Sequence, residues 1–184
     1  GGGTGWQARF LSQQGFSVES IDIGPGQGKQ VFSVTIYDGF TVPFKDEQFD
    51  VVFSSNVLEH IPHVESFQGE IKRVLKSNGY AVHLVPSSSW RFWTNFTEIL
   101  KYWRLPKPHG EHAGNALSEM FCFRKNWWFK LFKRTGWTVF SVSSNNLFYT
   151  GCSLFDSVLS IPLRSKISRY LGSSCHVFVL QKMD

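Results

Sequence analysis

Short β-branched and aromatic runs alternate along this chain with stretches of helical period, and that alternation limits the fold more than any single motif does. "FSVESIDI" ends near Asp22, "VFSVTIYD" ends at Asp38, and "FDVVFSS" and "YAVHLVPS" follow; each reads as a strand. Between the last two, "HVESFQGEIKRVL" sets Val64, Phe67, Ile71, Val74 and Leu75 on one helical face and closes at Gly79. "RKNWWFKLFKRTGW" then predicts a basic helix closing at Gly136, "TVFSVSS" a strand and "CHVFVLQKM" a final strand. Strands separated by helices call for an α/β fold, a mostly parallel sheet with helices on both faces. At 184 residues without internal repeats, one domain over residues 1–184 is expected.

Two segments fit this scheme less directly. Over about residues 90–105 the spacing of Phe92, Trp93, Phe96, Ile99, Leu100 and Trp103 is helical. Such a stripe serves as a lid or acceptor wall, or packs into the core, the commoner fate. The polar loop "PKPHGEHAGNALSE" follows, and an irregular or helical insertion is expected at about 147–172.

Composition excludes several classes of function. No apolar stretch reaches the roughly 20 residues that span a bilayer. The three cysteines, Cys122, Cys152 and Cys175, lack the spacing of a disulfide framework or zinc knuckle, which makes a reducing, cytoplasmic location the default. The net charge of +5 is scattered rather than concentrated, so no nucleic-acid partner is expected, while an anionic membrane surface or acidic substrate stays open. With 18 Phe and 7 Trp, some aromatics should line a pocket or surface.

The chemistry concentrates near the start. "GGGTG" has the form G-x-G-x-G at Gly1, Gly3 and Gly5 and runs straight into a helical pattern on Trp6, Phe10 and Leu11 that stops at Gly15; such a turn presents backbone N–H groups to a ligand. It is not the dinucleotide G-x-G-x-x-G, because the sixth residue is Trp6. "GPGQGKQ" fails as a phosphate loop, since Ile23 and Gln30 stand where Gly and Ser or Thr are needed. Asp22 and Asp38 close successive strands on the same sheet edge as the glycines, one placed to accept ribose hydroxyls and the other an adenine amino group.

In these stretches the chain resembles the class I S-adenosylmethionine-dependent methyltransferases of the type 11 group. The resemblance rests on "GGGTG", "SIDI", "YDGFTVPFKDEQFDVVFSSNVLEHI" and "EIKRVLKSNGYAVHLVP" in the family's order, and covers Gly1 to about Pro86. It implies a Rossmann-like sandwich with an antiparallel C-terminal strand and S-adenosylmethionine as cofactor. It also implies that Gly1, Gly3 and Gly5 bend around the methionine part, Asp22 binds the ribose, Asp38, Gly39 and Phe40 hold the adenine, and Ser54 and Ser55 meet the amino-acid end. Two departures are evident. The link from Asp22 to Asp38 is too short for the family's helix, and the family's central first strand is missing, so the chain is expected to be N-terminally incomplete.

Methyl transfer to a hydroxyl needs alignment and a base. His60 in "SSNVLEHI" follows a strand end beside the expected cofactor; its alternative is a histidine that only orders the loop. His109 and His112 in "PHGEHAGN" are the next candidates, while His63, His83 and His176 read as structural or exposed. No metal is expected, because Asn56 stands where metal-binding relatives carry the first Glu of E-x-x-E-H. The expected activity is methylation of a hydroxyl on a small-molecule or carbohydrate acceptor, and a weaker resemblance in "HLVPSSSWRFW" and "HGEHAGNA" points to surface-polysaccharide synthesis. A non-catalytic cofactor-binding or partner-binding domain is the alternative; Trp6 and "VLEH" speak against an NAD-dependent oxidoreductase.

Overall fold

In a computed structural model of the protein, residues 1–151 and 159–182 are described. Four strands form the main sheet: β3 (Phe49–Ser55), β4 (Leu75–Pro86), β5 (Thr138–Ser144) and β6 (Cys175–Gln181), in the order β3-β4-β6-β5. β3 runs parallel to β4, and β6 runs antiparallel to both of its neighbours. Three strands therefore share one direction, with the antiparallel strand at the C-terminal end of the sequence, as expected.

The first two strands are shorter than the sequence suggests. β1 (Ile21–Asp22) and β2 (Thr35–Ile36) pair in parallel as a separate two-stranded sheet. Among the described residues no strand joins this pair to β3, whose Val51 and Phe53 are 52% and 41% exposed. The amino nitrogen of Gly1 and the amide of Gly2 instead donate to Ile21 O. The link between β1 and β2 contains no helix, as its length requires. It wraps the glycine turn: Val31 N donates to Thr4 O at 2.9 Å.

Helix α2 (Val64–Val74) buries Val64, Phe67, Ile71 and Val74, the predicted face. Helix α5 (Lys125–Arg134) buries Trp128, Leu131 and Phe132, with Phe132 packed on Phe178 of β6 at 5.1 Å between ring centroids. These side chains join Leu75, Ala81, Val85 and Leu180 in one core. Helix α1 (Trp6–Gln13) differs: it buries only Ala8, and Trp6 and Phe10 are exposed. The predicted insertion contains α6 (Ile161–Leu171), while residues 152–158, with Cys152, lie outside the described residues.

The largest departure is α3 (Ser88–Tyr102). Its start is fixed by Ser87, whose hydroxyl accepts from Trp90 N at 3.1 Å. The helix then packs with its polar side inward. Arg91, Thr94, Asn95 and Thr97 are buried, whereas Phe92, Phe96, Ile99 and Leu100 are 41–55% exposed and Trp103 is 91% exposed. The expectation of a core-packed apolar stripe is thus corrected. The reason is the neighbour it packs on: α4 (Ala116–Cys122) presents Glu119, only 1% exposed, with Arg91 Nε 2.7 Å from its Oε2. Asn95 donates to Ala116 O on the same helix, and Thr94 Oγ1 accepts from Gly151 N.

Sequence reasoning placed α4 inside a polar loop. Its start is nevertheless marked by a capping box, Asn115 and Ser118. Removing one member of a buried ion pair strands the other charge. Arg91→Ala is therefore expected to cost about 3–5 kcal/mol, and Phe92→Ser on the open side under about 0.5 kcal/mol, both read from denaturant midpoints.

Candidate functional site

The predicted cofactor residues converge at the C-terminal ends of β1, β2 and β3. At Gly3 (φ 53°) and Gly5 (φ 87°) the backbone is left-handed, a conformation that favours glycine. Nothing lies within 4 Å of where a Gly3 side chain would stand, so this face of the turn is open. Gly1 sits so close to Val57 that a side chain there would collide with it; this contact ties the glycine turn to the segment after β3.

Asp22 receives Gly3 N and Ile23 N, each at 2.7 Å, one per carboxylate oxygen. Each oxygen keeps a further lone pair for a ligand hydroxyl. Asp38 Oδ1 receives Phe40 N and Thr41 N at 2.8 Å, and these bonds hold its carboxyl below the usual range. Gly39 O is bonded by His63 Nε2 at 3.0 Å, and the His63 ring stacks on Phe40 at 4.5 Å. His63 thus has a definite role, setting the loop after β2. Ile23, 70% exposed, and Phe40, 64% exposed, flank Gly39. Ile23 escaped sequence reasoning because a strand-end isoleucine reads as core.

Ser54 is engaged elsewhere. Its hydroxyl lies 2.7 Å from Nδ1 of His83, a fully buried imidazole on β4 whose pKa burial lowers to about 3. Ser55, at the end of β3, is half-buried.

One 3-10 turn beyond β3 (Leu58–His60) brings the histidines together. His60 N donates to Val57 O, the residue against Gly1. The His60 and His109 rings meet edge to face at 4.6 Å, and Trp90 packs on His109 at 4.8 Å. Burial lowers the pKa of both histidines, and the mutual influence of His60 lowers that of His109 further. Both are therefore neutral near pH 7, and the Glu111 and Glu119 charges favour a proton arriving on His60. His112 is turned to other work: its Nε2 lies 3.0 Å from Leu58 O, and its ring packs on Trp127.

The loop bearing His109 is held by Glu119, whose carboxylate accepts from His109 N at 2.7 Å and Gly110 N at 2.5 Å. Glu111 N donates to Glu59 O at 2.8 Å, clamping loop to turn. Glu119 is the principal positioning residue that the sequence did not betray; the capping box of Asn115 and Ser118 just before it was the available signal.

Glu59, 0% exposed, has no hydrogen-bond partner at either carboxyl oxygen among the described residues, and His60 Nε2 stands 3.9 Å from its Oε1. Burial, with the Glu119 charge adding to it, pushes its pKa up to about 7. Glu59, His60 and His109 each bring one potential ligand atom within 4.8 Å of the others.

Residues 1–83 match the family model described as "Methyltransferase domain". The match takes in the N-terminal part of the chain, and the fold is the Rossmann-like one of S-adenosylmethionine-dependent methyltransferases. An uncharacterized methyltransferase of Mycobacterium avium is 31% identical over 90 residues, covering 45% of this chain and 36% of the relative. A 2-methyl-6-phytyl-1,4-hydroquinone methyltransferase of Synechocystis is 30% identical over 116 residues, 58% of this chain and 35% of the relative. The chain thus spans about a third of the length of these curated relatives. The crystal structure of an S-adenosylmethionine-dependent methyltransferase from Methanosarcina mazei superposes with a TM-score of 0.61 at 16% identity, covering 100% of this chain and 90% of that one. S-adenosylmethionine is the cofactor this methyltransferase family and fold imply. The open turn at Gly3 and the free lone pairs of Asp22 fit it.

Glu59 supplies a pH test of the site. Because its pKa is raised above the ordinary 4.5, the folded chain keeps a proton that the unfolded chain has lost between about pH 4.5 and 7. Its contribution to stability is expected to fall across that window by about 3 kcal/mol, levelling above it. Glu59→Gln should remove this slope from pH-dependent denaturation curves.

Proposed function

We propose that the protein transfers a methyl group from S-adenosylmethionine to a hydroxyl of a small-molecule or carbohydrate acceptor. The observation that carries this reading is the His60–His109 ring pair, one turn from the segment that touches the glycine turn. Gly1, Gly3 and Gly5 would hold the methionine part of the cofactor, Asp22 the ribose hydroxyls, and Asp38, Gly39 and Phe40 the adenine, with Ile23 offering a second apolar face. Ser55 is the nearer of the two serines to serve the amino-acid end, because the Ser54 hydroxyl is taken by His83.

The cofactor supplies a methyl group on a sulfonium, which transfers when a nucleophile is aligned behind it. What the protein must add is position and a place for the acceptor proton. A neutral imidazole at His60 accepts that proton. His109, itself packed on Trp90, fixes the ring from one side, and the Glu111 and Glu119 carboxylates favour the resulting cation. His112, bonded to Leu58 O, positions the loop rather than moving the proton. An activity in surface-polysaccharide synthesis fits a carbohydrate hydroxyl as acceptor, and the sequence resemblance alone carries it.

Four measurements test the reading. Calorimetry should show binding of S-adenosylhomocysteine, weakened at least ~10-fold in Asp22→Ala by loss of a charge-assisted hydrogen bond; no binding to the folded protein overturns the cofactor assignment. His60→Ala should lower kcat ~10²–10⁴-fold with cofactor affinity unchanged, and wild-type turnover would remove His60 as base. Because burial lowers the His60 pKa, the rate should rise with pH only below about 6.5 and be flat at neutrality. Chelators should leave the rate unchanged; chelator-sensitive turnover would instead make Glu59, His60 and His109 a metal set.

A further inference from the structure

Among the described residues, no other element covers the apolar stripe on α3, whose Phe92 and Phe96 meet only Trp93 of the same helix in ring contacts. Phe92, Phe96, Ile99, Leu100 and Trp103 recur at helical spacing and stand 41–91% exposed, while the opposite side is committed to the buried Arg91–Glu119 pair. Rotating the helix to bury the stripe would expose that pair, so the outward orientation is fixed by the polar side. The apolar face continues into Tyr102 and Leu105, 47% and 51% exposed.

Charge indicates what this face meets. Although cations look scattered along the sequence, residues 88–184 carry 13 Lys and Arg against 5 Asp and Glu, whereas residues 1–87 carry 6 against 9. Over α3 and the segment after it, Lys101, Arg104 and Lys107 are exposed and Glu98, the one acid between Ser88 and Lys107, is half-buried. Lys101 and Arg104 both lie over the Tyr102 ring, at 5.0 and 5.5 Å. Aromatic and aliphatic side chains bordered by cations are the composition of helices that lie in a membrane interface. No helix among the described residues is long and apolar enough to cross a membrane. A second copy would bring two basic halves together, whereas an anionic bilayer complements them.

We propose that the outward face of α3, from Phe92 to Leu105, seats the protein on anionic lipid bilayers, with Phe96, Leu100 and Trp103 inserted among the lipids and Lys101, Arg104 and Lys107 at the headgroups. The site then works on acceptors presented at a membrane surface. Docking needs neither cofactor nor acceptor, so it is measured independently of methyl transfer and can fail without touching that reading.

The test is flotation of the purified protein with vesicles of phosphatidylcholine alone and with phosphatidylglycerol added. Retention on the mixed vesicles is expected, falling with salt. Phe96→Ser/Leu100→Ser/Trp103→Ser should weaken partitioning at least ~10-fold with unchanged circular dichroism, while Phe140→Ser, an exposed aromatic on β5, should not. Arg104→Glu should weaken it roughly fivefold or more. Absence of retention overturns the proposal, as does retention that the triple variant keeps. A dimer in sedimentation velocity that the triple variant dissociates, without vesicle retention, would assign the face to a second copy instead.

Discussion

The Arg91–Glu119 contact is the constraint on which the C-terminal half of the molecule is arranged. Two charged side chains, 2% and 1% exposed, are tolerable in the interior only when each is held by further partners. Arg91 also donates to Lys107 O at 2.6 Å, and Glu119 takes two backbone amides of the histidine loop. One pair therefore ties α3, α4 and both ends of the segment between Lys107 and Gly110. That loop has no secondary structure of its own before α4, and its position comes from this carboxylate and from the 3-10 turn beneath it.

The same pair explains why a helix with a clear apolar stripe turns that stripe outward. Hydrophobic periodicity tells which side chains share a face, not which face is buried. Where the partner helix offers an acid at a buried position, the side bearing Arg91, Asn95 and Thr94 is the one with partners to find. The cost is an exposed apolar surface of a kind that monomeric proteins rarely leave without purpose.

Much of the fold was legible because the strong signals were local. The α2 face, the basic helix α5 and the strands β3 to β6 follow from periodicity and turn residues, and the mostly parallel arrangement follows from their alternation with helices; the reversed last strand came from the family resemblance. The glycine turn and the aspartates at two strand ends were readable for the same reason: each lies at a boundary that the chain marks with Gly or Asp. What stayed hidden depends on residues far apart in sequence. The pairing of His60 with His109 across 49 positions, the burial of Glu59 and the anchoring of His112 on Leu58 have no local signature. The brevity of β1 and β2 was equally unreadable, because strand length here depends on neighbours rather than propensity.

The position of β6 has a consequence for how the molecule is made. This strand, with Phe178 and Leu180 fully buried, lies between β4 and β5 rather than at an edge. Residues 175–181 must therefore leave the ribosome before β5 can join the sheet, and until then β4 presents an open hydrogen-bonding edge beside apolar Val82 and Leu84. Long-range pairings of this kind form slowly, and unpaired strand edges are where nascent chains stick to one another. The interval between synthesis of β4 and β6 is thus the period in which the chain most needs chaperone protection.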